Sequence, residues 1–327
     1  MTTQGLGVLR ALFPAVSCLL GLGSYAGPQA PSASDRPDSE PYRISVDVRL
    51  VELQAAVHDR QGRFVSDLSE HDFEVYEDGA RQSIRLFRHE DVPVTVGLVV
   101  DHSGSMRAKL TEVIAATRTF VKSSNPEDRM FVVNFNEKVS LGLPAAIQYT
   151  GNVNELEQAI WRNPAAGMTA LYDAVAVGLQ RVREDKRDRK AMVVVSDGGD
   201  NASKATLEQV LKLAEQSSAM IYSIGIFDED DPDRNTRALT RMARVTGGEA
   251  FFPGQLSEVV EICEGIARDI RNQYTIGYVP TNPARNNSYR AIRVVAQAKD
   301  HGKLSVRTRS GYIAAGGPVP DSHADSK

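Results

Sequence analysis

Hydrophobic spacing divides the chain into three regimes. From Ile44 the apolar residues alternate with polar ones: Ile44, Val46, Val48 and Leu50 hold one parity, then Val51, Leu53, Ala55 and Val57 hold the other. Alternation with period two predicts a strand with one buried face, and the slip in phase predicts a bulge. Asp59 to Gly62 reads as a turn. Phe73 and Val75 open a second alternating run, Asp78-Gly79 is a hairpin-type turn, and Ile84 and Leu86 follow.

At Val94 the pattern changes. Val94 to Val100 is almost continuously apolar, as a strand buried on both faces requires. Leu110, Val113, Ile114, Thr117 and Val121 then recur at helical spacing. Strands are predicted at Met130 to Phe135, Val139 to Leu143, Ala191 to Val195, Ile221 to Phe227 and Ala250 to Phe252. Helices are predicted near 153–162, 170–184, 235–245 and 256–270. Ser203 is placed to cap a further helix with the stripe Leu207, Val210, Leu211 and Ala214. Cys263 falls on the apolar stripe of the last helix, a position for core packing. Apolar strands alternating with amphipathic helices predict an α/β fold with a doubly wound, Rossmann-like, mostly parallel sheet over residues 92–272. After Asn272 the period returns to two, with Tyr274, Ile276 and Tyr278, then Ile292 and Val294, then Leu304 and Val306. Neither β flank is long enough for a core of its own. Residues 42–91 and 273–314 are therefore expected to pair into one smaller β-sandwich-like domain built from both ends of the chain, the alternative being two separate β flaps packed on the α/β domain.

The termini have a different character. Arg10 precedes an apolar run from Ala11 to Leu22, and Ser24-Tyr25-Ala26 offers small residues on either side of a larger one. This reads as a secretory signal peptide over 1–26, placing the protein in the periplasm or outside the cell. The run is shorter than the roughly 20 residues a bilayer span needs. Residues 27–41 form a Pro/Ser-rich linker and 315–327 a Gly/Pro/Asp/Ser-rich tail, expected to be disordered. The 327 residues carry a formal net charge of -4 and no long Lys/Arg block, which argues against nucleic acid as a partner. Removal of the signal would take Cys18 with it and leave Cys263 without a disulfide partner.

In a doubly wound sheet, ligands bind at the carboxyl ends of the strands where the strand order reverses. Three segments bring oxygen-bearing side chains there: Asp101-His102-Ser103-Gly104-Ser105, Gly167-Met168-Thr169, and Ser196-Asp197-Gly198-Gly199-Asp200. Three hydroxyls and two carboxylates suit a hard cation such as Mg2+, which takes six oxygens and often keeps water. They under-neutralise it, so an anionic oxygen from outside becomes the natural last ligand. A site holding Ca2+ permanently would want more carboxylates.

Asp101-His102-Ser103-Gly104-Ser105 resembles the D-x-S-x-S motif of von Willebrand factor type A domains. Thr169 looks like that family's threonine, and Asp197, within Ser196-Asp197-Gly198, like its second aspartate. Together Asp101, Ser103, Ser105, Thr169 and Asp197 are similar to a complete metal-ion-dependent adhesion site, and the resemblance covers roughly residues 92–272. It implies a Rossmann-like sheet, a Mg2+ or Mn2+ ion, and a protein partner whose Asp or Glu carboxylate completes the coordination. The flanks look like bacterial von Willebrand factor type A-related proteins, in which a segment similar to Phe73 to Gly79 precedes the domain.

Other residues are weighed against plainer roles. Asp173, one helical turn after Thr169, is expected to support the Thr169 loop, and Asp200 to stand beside the site or in a solvated turn. His102 and Met168 are expected to meet solvent or a partner. The acidic run Asp228 to Asp231 with Asp233 lacks the alternation of a Ca2+ loop and reads as solvated. Asn201-Ala202-Ser203 and Asn286-Asn287-Ser288 fit the glycosylation sequon. No G-x-G-x-x-G, P-loop or G-x-S-x-G follows a predicted strand, which argues against nucleotide binding and against an enzyme.

Overall fold

The computed structural model describes residues 50–227, 234–284 and 286–314. The expected signal peptide, linker, residues 42–49, acidic run and tail lie outside them. Among the described residues no helix is long and apolar enough to cross a membrane.

Four strands precede the α/β region: β1 (Val51–His58), β2 (Phe73–Glu77), β3 (Ala80–Gln82) and β4 (Ile84–Arg88). The α/β region runs β5 (Thr95–Asp101), α1 (Leu110–Ser123), β6 (Arg129–Phe135), β7 (Val139–Leu141), α2 (Val153–Trp161), α3 (Leu171–Glu184), β8 (Lys190–Ser196), α4 (Leu207–Gln216), β9 (Ala219–Gly225), α5 (Thr236–Thr246), β10 (Ala250–Phe251) and α6 (Glu258–Arg271). Strands β11 (Tyr274–Tyr278), β12 (Tyr289–Ala296), β13 (Ser305–Arg307) and β14 (Gly311–Ile313) close the chain.

The central sheet has the order β10-β9-β8-β5-β6-β7, parallel except for the edge strand β7. Its middle strands β5 and β8 are buried almost throughout, which is why their sequences are valine-rich runs rather than alternations. α1 packs against α6 and α2, while α3 leans on β5, β6 and β8 and adjoins α4. The chain leaves β5 toward β6 on one side and returns through α3 to β8 on the other. The carboxyl ends of β5 and β8 therefore flank the point where the winding reverses.

The flanks pair with one another. One antiparallel sheet has the order β13-β1-β11-β4 and the other β14-β12-β2-β3, so each draws strands from both ends of the chain. Their shared core holds Leu53, Val57, Phe73, Val75, Tyr274, Ile276 and Tyr278. Rings of Phe73, Phe87 and Tyr274 lie with centroids 5.0–5.6 Å apart. The β2–β3 turn places Asp78 and Gly79 at φ of 48° and 83°, the conformation a two-residue hairpin needs.

β1 holds one parity from Val51 to Val57, with Ala56 also buried, and the residues from Ile44 that carry the other parity of the expected slip lie outside the described ones up to position 49. A register irregularity lies between β11 and β4 at Gly277/Tyr278. Two details depart from the sequence reading. Thr206, not Ser203, caps α4, its hydroxyl accepting from the Gln209 N–H while Gln209 reaches back to the Thr206 N–H. Ser203 instead accepts from the backbone N–H of Asp173. The last helix begins at Glu258, two residues later than the apolar stripe indicated.

Candidate metal centre

Asp101 ends β5 and is fully buried. One of its carboxylate oxygens accepts the Ser103 N–H at 2.7 Å, and the other accepts the Ser196 hydroxyl at 2.6 Å from the end of β8. Ser196 also accepts the Gly198 N–H at 3.0 Å, which folds the chain after β8 back over the strand end. Gly198 sits at φ of 80°, and a Cβ there would come within 2.9 Å of the Asn235 carbonyl. Only glycine permits that turn.

The turn delivers Asp197, which is 3% exposed, to the Ser105 hydroxyl; Ser105 donates to it in a very close contact. Ser105 and Ser103 hydroxyls lie 3.1 Å apart. Asp101, Ser103, Ser105 and Asp197 thus form one connected group of oxygens. Thr169 is buried in the adjoining loop, which meets the motif through Gly104 N–H to Gly167 O at 3.1 Å and Ala166 N–H to His102 O at 2.8 Å.

Asn201 fixes Thr169 from both sides. Its side-chain oxygen accepts the Thr169 N–H at 2.9 Å, and its own N–H donates to the Thr169 carbonyl at 3.0 Å. In the sequence it stood only within a sequon; nothing local signals the clamp, because it forms across 32 residues. Asp173 supports the site at one remove, accepting the N–H groups of Lys204 and Ala205 at 3.0 and 2.8 Å. It holds the segment that carries Asn201 rather than the Thr169 loop itself. Asp200 faces the first N–H groups of α3, at Leu171 and Tyr172, and the Ser203 hydroxyl, and burial pushes its carboxyl above the ordinary range. Glu137 stands at the rim, where its carboxylate accepts the Met168 N–H at 3.2 Å.

Of the two residues expected to face outward, Met168 is 54% exposed, but His102 is fully buried. His102 Nε2 lies 3.1 Å from the Asn134 side-chain oxygen, and its backbone N–H donates to Phe135 O. The chain is still extended at this point, so Asp101 and His102 point to opposite sides. The side that receives His102 is closed by β6 and the 162–168 loop. His102 is therefore enclosed within the loop rather than exposed on its surface. Burial lowers its pKa.

Burial, then the nearby Asp197 charge, pushes the Asp101 carboxyl up to about 7. Burial, Asp197, Ser196 and Ser103 are what act on the Asp101 carboxyl, with no basic side chain among the described residues beside them. Two converging carboxylates and neighbouring hydroxyls, without a cationic side chain, are the donor set a hard divalent cation fits. Among the described residues no three His, Cys, Asp or Glu side chains are grouped so as to hold a metal ion, so hydroxyl oxygens would have to supply the rest of such a donor set. Cys263 is buried and its thiol is pushed up to about 12, which suits packing rather than reactivity.

Comparison with known proteins gives the same region a relationship. The von Willebrand factor type A domain profile matches residues 95–262. A protein of Borreliella burgdorferi is 21% identical over 214 residues, covering 64% of this chain and 61% of that one. The uncharacterised protein sll0103 of Synechocystis sp. is 26% identical over 146 residues, covering 43% of this chain and 34% of its own length. The chain thus spans less than two thirds of either relative. A solved von Willebrand factor type A structure from Catenulispora acidiphila aligns with a TM-score of 0.49 at 13% identity, over 82% of this chain and 75% of that one. With the profile matched over more than half of its length, the chain belongs to the von Willebrand factor type A domain family.

Proposed function

We propose that this protein is a metal-dependent protein-binding module of the cell envelope or its exterior. Asp101, Ser103, Ser105, Thr169 and Asp197 would hold one Mg2+ or Mn2+ ion, and an Asp or Glu carboxylate on a partner protein would complete its coordination. The observation that carries this reading is the joining of Asp101 and Asp197 through Ser103 and Ser105, both carboxylates buried and neither neutralised by a basic side chain among the described residues. A bound ion would supply the missing positive charge and an electrophilic position for an incoming oxygen. The residues do the rest. Ser196 and the Ser103 N–H orient Asp101, and Asn201 fixes Thr169. Exposed Met168 lies where a partner would approach. Family membership supports a protein-binding role, and the N-terminal apolar run supports export.

Titration calorimetry of Mg2+, Mn2+ and Ca2+ tests it, beside an Asp101→Ala/Asp197→Ala variant. Saturable binding of Mg2+ or Mn2+ that the variant loses is the expected result. Added acetate or glutarate, standing in for the partner, should tighten ion binding. Ion binding that ignores carboxylates would reduce the ion to a scaffold role. Absence of binding with and without them would overturn the site.

A further inference from the structure

Six described residues expose a large apolar side chain: Val92, Leu141, Trp161, Met168, Phe252 and Tyr289. Tyr289 lies on the β flank, Val92 ahead of β5 at the opposite end of the central sheet, and Leu141 on the outer strand β7. Trp161, Met168 and Phe252 stand at the carboxyl ends of the parallel strands, the edge that carries the candidate metal centre. Exposed apolar residues scattered singly need no explanation, but three around one site do.

On the β6 side, α2 buries Leu156, Ala159 and Ile160 and turns Trp161 outward, 57% exposed, so helix packing has no use for it. The Asn134 amide, near the carboxyl end of β6, donates to the Ala159 carbonyl at 2.6 Å and sets the end of α2 at this edge. The loop that follows delivers Met168 beside Thr169. Besides its bonds to the motif it is held by the Asn136 amide, donating to Ala166 O at 3.0 Å, and by Arg107 Nε, donating to Ala165 O at 3.1 Å. On the β9–β10 side, Phe252 stacks on Phe227 with centroids 5.8 Å apart. A Cβ at Gly225 would come within 2.7 Å of Phe252 and 2.8 Å of Phe227, so the glycine ending β9 seats the pair. The Arg234 guanidinium lies over Phe227, 4.6 Å from the ring centroid, while Phe252 stays 38% exposed.

A carboxylate brought to an ion between β5 and β8 brings its own chain over these side chains. The carboxylate alone would not distinguish one acidic surface from another; apolar anchors beside the ion would. Aromatic and methionine side chains held by a fixed surround give binding energy at little ordering cost. From β10 to β6 is four strand spacings, roughly 19 Å, and an extended chain at about 3.3 Å per residue crosses it in about six residues.

We propose that the partner presents its metal-binding Asp or Glu within a segment carrying apolar side chains on both sides of it, one seated against Trp161 and Met168 and the other against Phe252. This rests on the metal-dependent grip, so the test separates the two. The full chain is titrated with Mg2+, then at saturating Mg2+ with two acetylated peptide amides, Phe-Gly-Gly-Asp-Gly-Gly-Phe and Gly-Gly-Gly-Asp-Gly-Gly-Gly. Calorimetry reads affinity, and emission of Trp161, the single tryptophan of the chain, reads contact. A Trp161→Ala/Phe252→Ala variant, its fold checked by circular dichroism and its Mg2+ affinity measured alongside, is the comparison. At least tenfold tighter binding of the Phe peptide, with a saturable change in Trp161 emission and loss of that advantage in the variant, upholds the proposal. Bound Mg2+ with no preference for the Phe peptide, no binding of either peptide, or a preference that the variant keeps overturns it and leaves the metal reading standing. Failure of Mg2+ to bind, or Phe-peptide binding that survives its chelation, overturns the joint grip at the metal.

Discussion

Asp101 stands at the end of β5 with its charge shielded from solvent and, among the described residues, paired to no basic side chain. Its carboxyl rises from 3.8 to about 7. A carboxyl with a folded value above its unfolded one holds, between about pH 4 and 7, a proton that the unfolded chain has released. The metal-free protein should therefore lose stability as pH rises through that window, by on the order of 4 kcal/mol when complete. Asp101→Asn removes the charge. Urea unfolding at pH 8 without metal should then find the variant more stable than wild type; equal or lower stability would contradict the burden assigned to Asp101. A divalent ion competes with the same proton, so its affinity should fall up to about tenfold per pH unit below 7. His102 poses the opposite case, a neutral buried side chain whose value is packing. His102→Ala should cost about 2–4 kcal/mol in urea unfolding, from the cavity and the stranded Asn134 oxygen.

Among the elements, the segment between β8 and α4 does two separate jobs. Its far end starts α4 through the Thr206–Gln209 capping pair. Its middle is pinned to α3 by Asp173 and carries Asn201 to Thr169. These jobs are separable by mutation. Thr206→Ala should lower stability by about 1 kcal/mol and leave ion affinity unchanged. Asp173→Ala strands two N–H groups, should cost about 1–3 kcal/mol, and should also weaken Mg2+ binding several-fold because Thr169 loses its fixed seat. Parallel urea and calorimetric titrations of both variants read the two effects; matched ion affinities would contradict the division.

For the molecule as a whole, the α/β region is inserted in the β flanks, and the two chain crossings meet at Arg189. This buried side chain donates to the carbonyls of Glu90 and Gln273, one on each crossing, and to the Thr275 hydroxyl. Arg271 reinforces it by donating to Asp91 across the same pair of crossings. Arg189→Leu leaves these acceptors short of donors and should cost about 2–4 kcal/mol. It should also loosen the coupling of the two regions, seen in scanning calorimetry as a broadened or divided transition. A single sharp transition with wild-type midpoint would deny Arg189 that role.

Much of this was legible in the linear order of residues. The apolar run at Val94 to Val100 could only be a strand covered on both faces, and the period-two flanks could not each enclose a core. Asp101, Ser103 and Ser105 were local enough to recognise, and the Gly198 turn places Asp197 beside them. What the sequence could not show is which side a side chain in an extended loop meets, or what it meets there. His102 turned inward because β6 and the 162–168 loop, distant in sequence, close over it. Ser203 bonds α3 instead of capping α4 because Asp173 competes for it across 30 residues. Asn201 likewise depends on a partner that only long-range packing assembles. Periodicity reports the face of a local element, set by backbone geometry every two or 3.6 residues. The partner across that face is set by which elements pack together, and only the tertiary structure decides that.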